Sequence, residues 1–307
     1  MDTVIITGGT GLIGTALSKY LVSRGYEVII LTRNPKQYKS TTPGIAYAGW
    51  NIDEQSVNEE AFQKAKYVIH LAGAGVVEKS WTEKRKNEIL ESRTRSSALL
   101  IRAISRISNQ IQSVVSASAI GWYIQNSVGQ SVESDPPAKD FLGETCRAWE
   151  ESVHPVEALG KRLVILRTGI VLSNEGGAFP EFLKPVRFGI AGILGTGKQV
   201  ISWIHIEDIC RIYMEAMTNK TWSGVFNAVA PNPVSNKTFT LELAKKMKGS
   251  FFIQVPVPDF ILRIKLGDRS QEVLKSSNVS AHKLKEHGFQ FIFPTIDAAF
   301  RDLTQRN

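Results

Sequence analysis

The segment Val4-Ile5-Ile6-Thr7-Gly8-Gly9-Thr10-Gly11-Leu12-Ile13-Gly14 is the strongest local indicator of the fold. It is a β-branched run followed by a glycine-rich turn and the start of an amphipathic helix. Gly8 permits the tight turn, Gly11 lets the backbone approach a pyrophosphate, and Gly14 allows close packing of helix on strand. The helix N-terminus adds free N–H groups and partial positive charge. Because strand and helix flank the turn, the motif predicts a dinucleotide-binding βαβ unit rather than a turn without a ligand. We expect the cofactor to contact Gly8, Thr10, Gly11, Leu12, Ile13 and Gly14.

The end of the second β-run indicates which dinucleotide is used. NAD enzymes commonly carry Asp or Glu about 20 residues beyond the turn, where it binds the ribose hydroxyls. Here that place holds Arg33, flanked by Thr32 and Asn34. A guanidinium pairs with a 2′-phosphate, so Thr32 and Arg33 favour NADP(H) over NAD(H). The alternative for Arg33 is a solvent-exposed loop arginine.

Strand-like and helix-like segments alternate through the first half of the chain. The β-rich runs are Thr3–Thr7, Glu27–Thr32, Ile45–Trp50, Tyr67–Ala72, Ser113–Ser118 and Leu163–Leu166. The helix-period segments between them are Ile13–Arg24, Asn58–Lys64, Glu83–Ile107 and Gly143–Leu159. This rhythm predicts an α/β Rossmann fold with a doubly wound parallel sheet covered by helices on both faces.

The composition of the sequence changes after about Leu172. Glycines and prolines punctuate short segments, which predicts a smaller α/β lobe. The helical stretch Ile206–Met217 has core-like spacing, so we expect the chain to return to the sheet there. The predicted Rossmann domain is 1–172 plus about 200–230, and an interwoven C-terminal lobe takes about 173–199 and 231–307.

Composition and charge limit the possible partners. The 307 residues are 43% apolar and 21% charged, as in ordinary globular proteins. Two cysteines are too few for a disulfide scaffold, which favours a reducing compartment. With no long apolar run and no leader-like start, we expect a cytoplasmic protein without membrane contact. The net charge of +8 favours an anionic small molecule over nucleic acid, because no nucleic-acid reader motif accompanies it.

Several motifs resemble those of one protein family. Thr7–Gly14 and His70-Leu71-Ala72-Gly73 resemble the extended short-chain dehydrogenase/reductases of the NAD-dependent epimerase/dehydratase type. The pattern is most similar to the atypical "epimerase family" branch, the SDR39U-type, cell-division-inhibitor SulA-like (non-SOS) proteins. The matching segments are Trp81 with Arg85 and Lys86, Ser92-Arg93, Ser116–Gly121, Arg167–Leu172, Gly176-Gly177, Ser202–Asp208 and Asn227–Val234.

The resemblance implies further residues at the cofactor. Leu71, Ala72 and Gly73 would pass beneath the nicotinamide-side ribose and the pyrophosphate. Ser116 and Ser118 would lie at the end of the following strand, near the nicotinamide. The other implied cofactor contacts are Ser92 and Arg167, with Arg167 beside the far end of the cofactor. For the serines, the alternative is ordinary turn chemistry at a strand end.

The sequence departs from the wider family where proton transfer takes place. That superfamily uses a Tyr and a Lys four residues apart on one helix, where the lysine charge lowers the tyrosine pKa. Here Phe141 and Thr145 occupy these places, and neither can replace the pair.

Two interpretations of this departure stay open. In the first, the chain is an NADP-dependent oxidoreductase or epimerase acting on an unidentified small molecule. The first candidate for its proton carrier is Tyr123, whose alternative role is an aromatic ring packed against the loop. Ser118 is a second catalytic candidate, and the others are Glu144, His205 and Asp208. In the second, the chain is a catalytically silent NADP-binding regulator or scaffold with a protein partner, possibly in cell division. No metal-ligand spacing is present, and Gly195–Lys198 is interpreted as a hairpin.

Overall fold

A computed structural model describes residues 1–38, 41–270 and 274–305. The described strands are β1 (Thr3–Thr7), β2 (Glu27–Thr32), β3 (Ile45–Asn51), β4 (Ser56–Val57), β5 (Ala65–His70), β6 (Ser113–Ala119), β7 (Asn126–Ser131), β8 (Arg162–Thr168), β9 (Ile170–Leu172), β10 (Ile190–Leu194), β11 (Val200–Ile201), β12 (Trp203–His205), β13 (Gly224–Ala228), β14 (Val234–Ser235), β15 (Ile253–Val257) and β16 (Ser277–Val279). The central sheet has the strand order β13-β8-β6-β5-β1-β2-β3-β4.

Described helices cover both faces of this sheet. They are α1 (Leu12–Ser23), α2 (Glu59–Lys64), α3 (Glu83–Arg106), α4 (Phe141–Val153), α5 (Pro155–Ala158), α6 (Phe179–Arg187), α7 (Ile206–Thr218), α8 (Asn236–Lys248), α9 (Asp259–Leu266), α10 (His282–Glu286) and α11 (Ile296–Gln305). Within the described residues, no helix is long and apolar enough to cross a membrane.

Burial along β1 shows why the sheet is covered on both faces. All of its residues are buried. Val4 and Ile6 belong to one apolar core and Ile5 to another, as the two-residue period of a strand requires. β1 pairs in parallel with β2 and β5, so the order of the chain reverses beside it. The predicted doubly wound parallel sheet is confirmed, apart from the short antiparallel edge strand β4.

Outside the central sheet, the described strands form two-stranded sheets. β10 pairs with β15, β11 with β14, and β16 with β7. The strand β13 returns to the edge of the central sheet beside β8. The assignment of whole segments to one lobe or the other stays a prediction.

Three local predictions were wrong in detail. The predicted helix Gly143–Leu159 is two helices, because Pro155 starts a new one. β5 ends at His70, so Leu71 and Ala72 form a loop rather than a strand end. Gly195–Lys198 is a turn but not a hairpin, because the flanking strands β10 and β11 pair with β15 and β14.

Candidate functional site

A cleft of about 570 Å³ opens at the carboxyl ends of β1, β2 and β5. It lies beside the point where the strand order reverses, which is where ligands bind in open α/β sheets. Its walls are the β1–α1 turn, the segments after β2 and β3, the loop after β5 and one face of α3. The lining residues are Gly8, Thr10, Leu31, Thr32, Arg33, Asn34, Gln37, Tyr38, Trp50, Ile52, Asp53, Ala72, Gly73, Ala74, Glu88, Glu91, Ser92 and Arg95.

At two positions of the first turn only glycine fits, because neighbouring backbone atoms leave no room for a Cβ atom. Gly8 has φ +68°, and a methyl group on it would lie 2.8 Å from the carbonyl carbon and oxygen of Leu71. A methyl group on Gly14 would lie 2.5 Å from the Cα atom of Gly9. The turn therefore packs tightly against α1 on one side and against the loop after β5 on the other.

Helix α1 presents an uncapped N-terminus to this turn. Its N-cap is Gly11, no described side chain caps it, and its first turn holds no acidic residue. By contrast, Thr82 caps α3, Asp140 caps α4 and Ser235 caps α8 through their side chains. The N–H groups at the start of α1 thus keep their hydrogen-bonding capacity for an anionic ligand.

The end of the cleft at β2 carries Arg33 and Arg95. Arg33 is exposed and forms no ion pair with any part of the chain that the structure describes. Arg95 is neutralised by Asp53, with 2.9 Å between Nη2 and Oδ1. Tyr38 stacks on Tyr47 nearby, with 4.9 Å between ring centroids. Arg33 is therefore the cation available to a ligand at this end.

His70 supports the floor of the cleft from below. It is fully buried, and its Nδ1 lies 2.7 Å from the Thr7 Oγ1 atom, which in turn accepts from the amide of Ala72. On the other side of the ring, Nε2 lies 3.3 Å from the Oγ atoms of Ser96 and Ser97. Burial lowers the pKa of His70 to about 4. The ring is neutral at physiological pH and serves as a hydrogen-bonding bridge between β1, β5 and α3.

Two buried arginines of α3 hold the loop that follows β5. Arg85 donates to the carbonyl of Gly75 and pairs with Glu88 at 2.8 Å. Arg93 donates through Nη1 to the carbonyls of Ala74, at 3.2 Å, and Ile89, at 2.8 Å.

A buried polar network lies at the carboxyl ends of β6 and β8. Glu150 accepts from Arg167 at 2.8 and 2.9 Å and from the Ser118 hydroxyl at 2.6 Å. Arg167 also donates to the Tyr123 hydroxyl at 3.0 Å, and that hydroxyl donates to Asn227 Oδ1 at 2.6 Å. Tyr123 is 1% exposed. Burial raises the pKa of Tyr123 to about 12, although the charge of Arg167 opposes the shift.

The two positions of the missing Tyr–Lys pair lie on one face of α4. Phe141 packs edge-on against Trp81, with 5.1 Å between centroids. The Thr145 hydroxyl donates to the carbonyl of Phe141 at 2.7 Å, so the helix itself uses its hydrogen bond. Neither side chain can transfer a proton in place of the pair.

The structure brings together half of the residues predicted for the cofactor. Those lining the cleft are Gly8, Thr10, Thr32, Arg33, Ala72, Gly73 and Ser92. Gly11, Leu12, Ile13 and Gly14 form the start of α1 beside it, and the Leu71 carbonyl touches Gly8.

Other predicted residues lie outside the cleft walls. Ser116 is fully buried in β6, and Arg167, Ser118 and Tyr123 belong to the buried network. Their predicted roles stay predictions.

The remaining candidates for a proton carrier lie apart from the cleft. Glu144 is exposed and pairs with Arg147. His205 is the N-cap of α7, where its Nδ1 accepts from the amide of Glu207. Asp208 is buried and accepts from the amides of Ile292 and Phe293. The His205 contact stabilises the junction of β12 and α7, and the Asp208 contacts hold the C-terminal segment against α7.

The thiols and potential metal ligands show no catalytic arrangement. Burial raises the pKa of Cys146 to about 11 and that of Cys210 to about 12, so both thiols stay protonated. Among residues 1–38, 41–270 and 274–305, no group of three or more His, Cys, Asp or Glu side chains could hold a metal ion.

Sequence reasoning missed part of the cleft wall. Trp50, Asp53, Glu91 and Arg95 line it, but they come from segments that are far apart in the chain. The double glycine Gly176-Gly177 in the sequence indicates a further loop that packs closely against a neighbouring element. A methyl group on Gly177 would lie 3.0 Å from Leu12 Cδ2, so this loop packs onto the start of α1.

Comparisons with known proteins agree with this geometry. Residues 4–228 match the NAD dependent epimerase/dehydratase family, and residues 257–303 match a domain of unknown function, DUF1731. The chain is 32% identical to the epimerase family protein SDR39U1 homolog, chloroplastic, of Arabidopsis thaliana, over 99% of this chain and 87% of that protein. It is 33% identical to the epimerase family protein YfhF of Bacillus subtilis, over 98% and 97%.

Solved structures show the same fold. Human epimerase family protein SDR39U1 (isoform 2), crystallised with NADPH, superposes with a TM-score of 0.87 at 28% identity, over 99% of this chain and 100% of that chain. The UDP-glucose 4-epimerase of Thermus thermophilus, in complex with NAD, shares the fold at a TM-score of 0.75 and 20% identity, over 98% and 99%.

Proposed function

The chain belongs to the NAD-dependent epimerase/dehydratase family, and we propose that it binds NADPH in the cleft at the strand ends. The observation that carries the proposal is the uncapped start of α1 above a turn in which Gly8, Gly9 and Gly14 leave no room for side chains. Such a turn offers backbone N–H groups to a pyrophosphate. The related human protein was crystallised with NADPH, which supports the same cofactor here.

The residues of the cleft fit this dinucleotide. The turn from Gly8 to Leu12 would hold the pyrophosphate, and Arg33 with Thr32 would hold the 2′-phosphate. Arg33 is exposed without an ion pair among the described residues, so its charge is not already compensated. The ordinary acidic residue of NAD enzymes is absent from this place, which favours the phosphorylated form.

We propose hydride exchange with a small-molecule alcohol or carbonyl, as in an oxidoreductase or an epimerase. When bound, the nicotinamide ring supplies the hydride acceptor or donor. The chain's own residues must handle the accompanying proton. Ser118 and Tyr123 are the proposed carriers, connected through Glu150 and Arg167.

A second candidate function is supported by the same network. The hydroxyls of Ser118 and Tyr123 already donate to Glu150 and Asn227. The pKa of about 12 for Tyr123 is high for a group exchanging protons near neutral pH. These contacts favour a protein that binds NADPH without turning it over, and we propose that such a protein would act through a protein partner.

Nucleotide affinities test the cofactor proposal. We expect Arg33→Ala to weaken NADPH binding by roughly 10- to 100-fold, the scale of a lost charge-assisted hydrogen bond, and NADH binding by less than about twofold. Lys36→Ala is the matched control, since Lys36 is an exposed cation in the same segment but does not line the cleft. Equal losses for the two nucleotides would overturn the assignment of Arg33, and no NADPH binding by the unaltered protein would overturn the proposal.

A substrate screen separates the two candidate functions. Turnover is measured with a panel of carbonyl compounds and sugar nucleotides, from nicotinamide absorbance for net redox change and from NMR of the product for epimerisation. An oxidoreductase shows substrate-dependent oxidation of NADPH, whereas an epimerase converts its substrate to the epimer without net oxidation of the cofactor. In either case we expect Tyr123→Phe to reduce turnover by about 100-fold or more, the scale of lost general acid–base catalysis. Tyr123→Phe that retains full turnover contradicts its proposed role as proton carrier, and no turnover with NADPH bound supports the silent binder.

A further inference from the structure

Helix α3 places two cations on the face of α4 where the Tyr–Lys pair is missing. Lys86 Nζ lies 5.9 Å from the ring centroid of Phe141. Arg93 Cζ lies 4.8 Å from the ring centroid of Trp149. Thr145 is four residues from both aromatic residues, so all three share one helical face. The face that lacks its own lysine is therefore flanked by positive charge from the neighbouring helix.

The two cations differ in how their charge is balanced. Lys86 pairs with Glu83 at 2.8 Å and is partly exposed. Arg93 is 9% exposed and forms no ion pair with any described residue. Burial lowers the pKa of Arg93, and the nearby charge of Arg85 acts in the same direction. Burying a charge without a counter-ion is unfavourable, so Arg93 is unusual for a purely structural residue.

Arg93 also has hydrogen-bonding groups to spare. Only Nη1 donates, to the carbonyls of Ala74 and Ile89. Its Nε and Nη2 groups have no partner among the residues that the structure describes. The guanidinium packs directly behind the cleft wall, because a methyl group on Gly73 would lie 3.1 Å from Arg93 Cζ.

The position of the loop that contains Gly73 indicates which half of the bound dinucleotide lies near Arg93. Arg33, proposed for the 2′-phosphate, follows β2 on one side of β1. The loop with Gly73 follows β5 on the other side. A dinucleotide bound across the reversal of strand order has its halves on opposite sides. Arg93 is therefore placed at the nicotinamide half.

We propose that Arg93 supplies, from α3, the positive charge that Thr145 cannot supply from α4, and that this charge acts on the nicotinamide half of the bound cofactor. The inference rests on the proposed binding of NADPH in the cleft. The oxidised nicotinamide ring carries a positive charge and the reduced ring is neutral. A fixed cation at this end therefore disfavours NADP⁺ relative to NADPH.

The test compares the dissociation constants of NADP⁺ and NADPH by calorimetric titration. In Arg93→Met, we expect the ratio of Kd for NADP⁺ to Kd for NADPH to fall about five- to tenfold, the scale for one unit charge in a partly solvated site. Arg93→Lys keeps the charge and should keep the ratio within about twofold. Arg102→Met is the matched control, a cation of the same helix that contacts Gln55 away from the cleft.

The same measurements distinguish an effect of the Arg93 charge from a purely structural role of the Arg93 side chain. Arg85 also holds the loop, through Gly75, but its charge is paired with Glu88. A purely structural Arg93 would give an unchanged ratio in Arg93→Met, or the same change in Arg85→Met, and either result overturns the inference. Arg93→Gln, which keeps a donor without the charge, gives the same comparison if Arg93→Met does not fold.

Failure of the cofactor proposal gives a different result. If the unaltered protein binds neither nucleotide, the proposed function is wrong, and the inference that rests on it is wrong as well. If it binds both and the ratio does not depend on Arg93, only the inference is wrong.

Discussion

Replacing Gly8 by Ala tests the tight packing on which the cleft depends. A Cβ atom at this position would lie 2.8 Å from the Leu71 carbonyl and 2.9 Å from the Ala72 amide nitrogen, and its backbone has φ +68°. The left-handed conformation costs about 1–2 kcal/mol for an L side chain. Overlap with a fixed backbone costs a further 1–3 kcal/mol or so. We therefore expect Gly8→Ala to lower the free energy of unfolding by about 2–5 kcal/mol.

Gly25 provides a matched control for this prediction. It has φ +85°, but a methyl group on it would meet nothing within 4 Å. Gly25→Ala should therefore show the conformational cost of about 1–2 kcal/mol alone. Urea unfolding followed by tryptophan fluorescence measures both variants, and NADPH titration should show weakened binding in Gly8→Ala only. Equal destabilisation of the two variants would show that overlap of the Gly8→Ala Cβ atom with the Leu71 and Ala72 backbone does not contribute.

Two further predictions concern buried polar groups. Glu150→Gln leaves Arg167 buried without a counter-charge, so it should lower the free energy of unfolding in urea by about 3–5 kcal/mol. The control Glu151→Gln, at an exposed neighbouring position, should lower it by under about 1 kcal/mol. Similar losses in the two variants would contradict a stabilising role of the buried ion pair. The pKa of His70 falls from 6.5 to about 4 on folding, so stability should be fully present above pH 6.5 and decline as pH falls towards 4, by about 3 kcal/mol. His70→Gln should flatten this part of the stability–pH curve, and an unchanged curve would contradict the buried neutral ring.

Much of the central sheet was predictable because its strands are continuous apolar runs. β1 and β2 have the predicted bounds. The error at β5 has a physical cause, since Leu71 and Ala72 are apolar but leave the strand to pass under the glycine turn. Local hydrophobicity does not record such a departure.

The polar network was not predictable from local patterns. Its hydrogen bonds join residues far apart in the chain, such as Ser118 with Glu150 and Tyr123 with Asn227. The sequence placed Tyr123 after a strand on the cofactor side. Only the packed structure shows that its hydroxyl is buried between a guanidinium and an amide.

Arg93 illustrates the same limit. In the sequence it is one of several arginines on a helix with a basic face. The structure distinguishes it because α4 covers it, while Arg95, two residues later, reaches Asp53 across the cleft. Burial and counter-charge depend on neighbouring elements, which a single sequence does not specify.

A crystal structure of the protein with NADPH would show directly where the cofactor binds. We expect the pyrophosphate to lie against the turn from Gly8 to Leu12, with the 2′-phosphate within hydrogen-bonding distance of Arg33. Nucleotide density elsewhere on the molecule, or a cleft without nucleotide at saturating NADPH, would contradict the account.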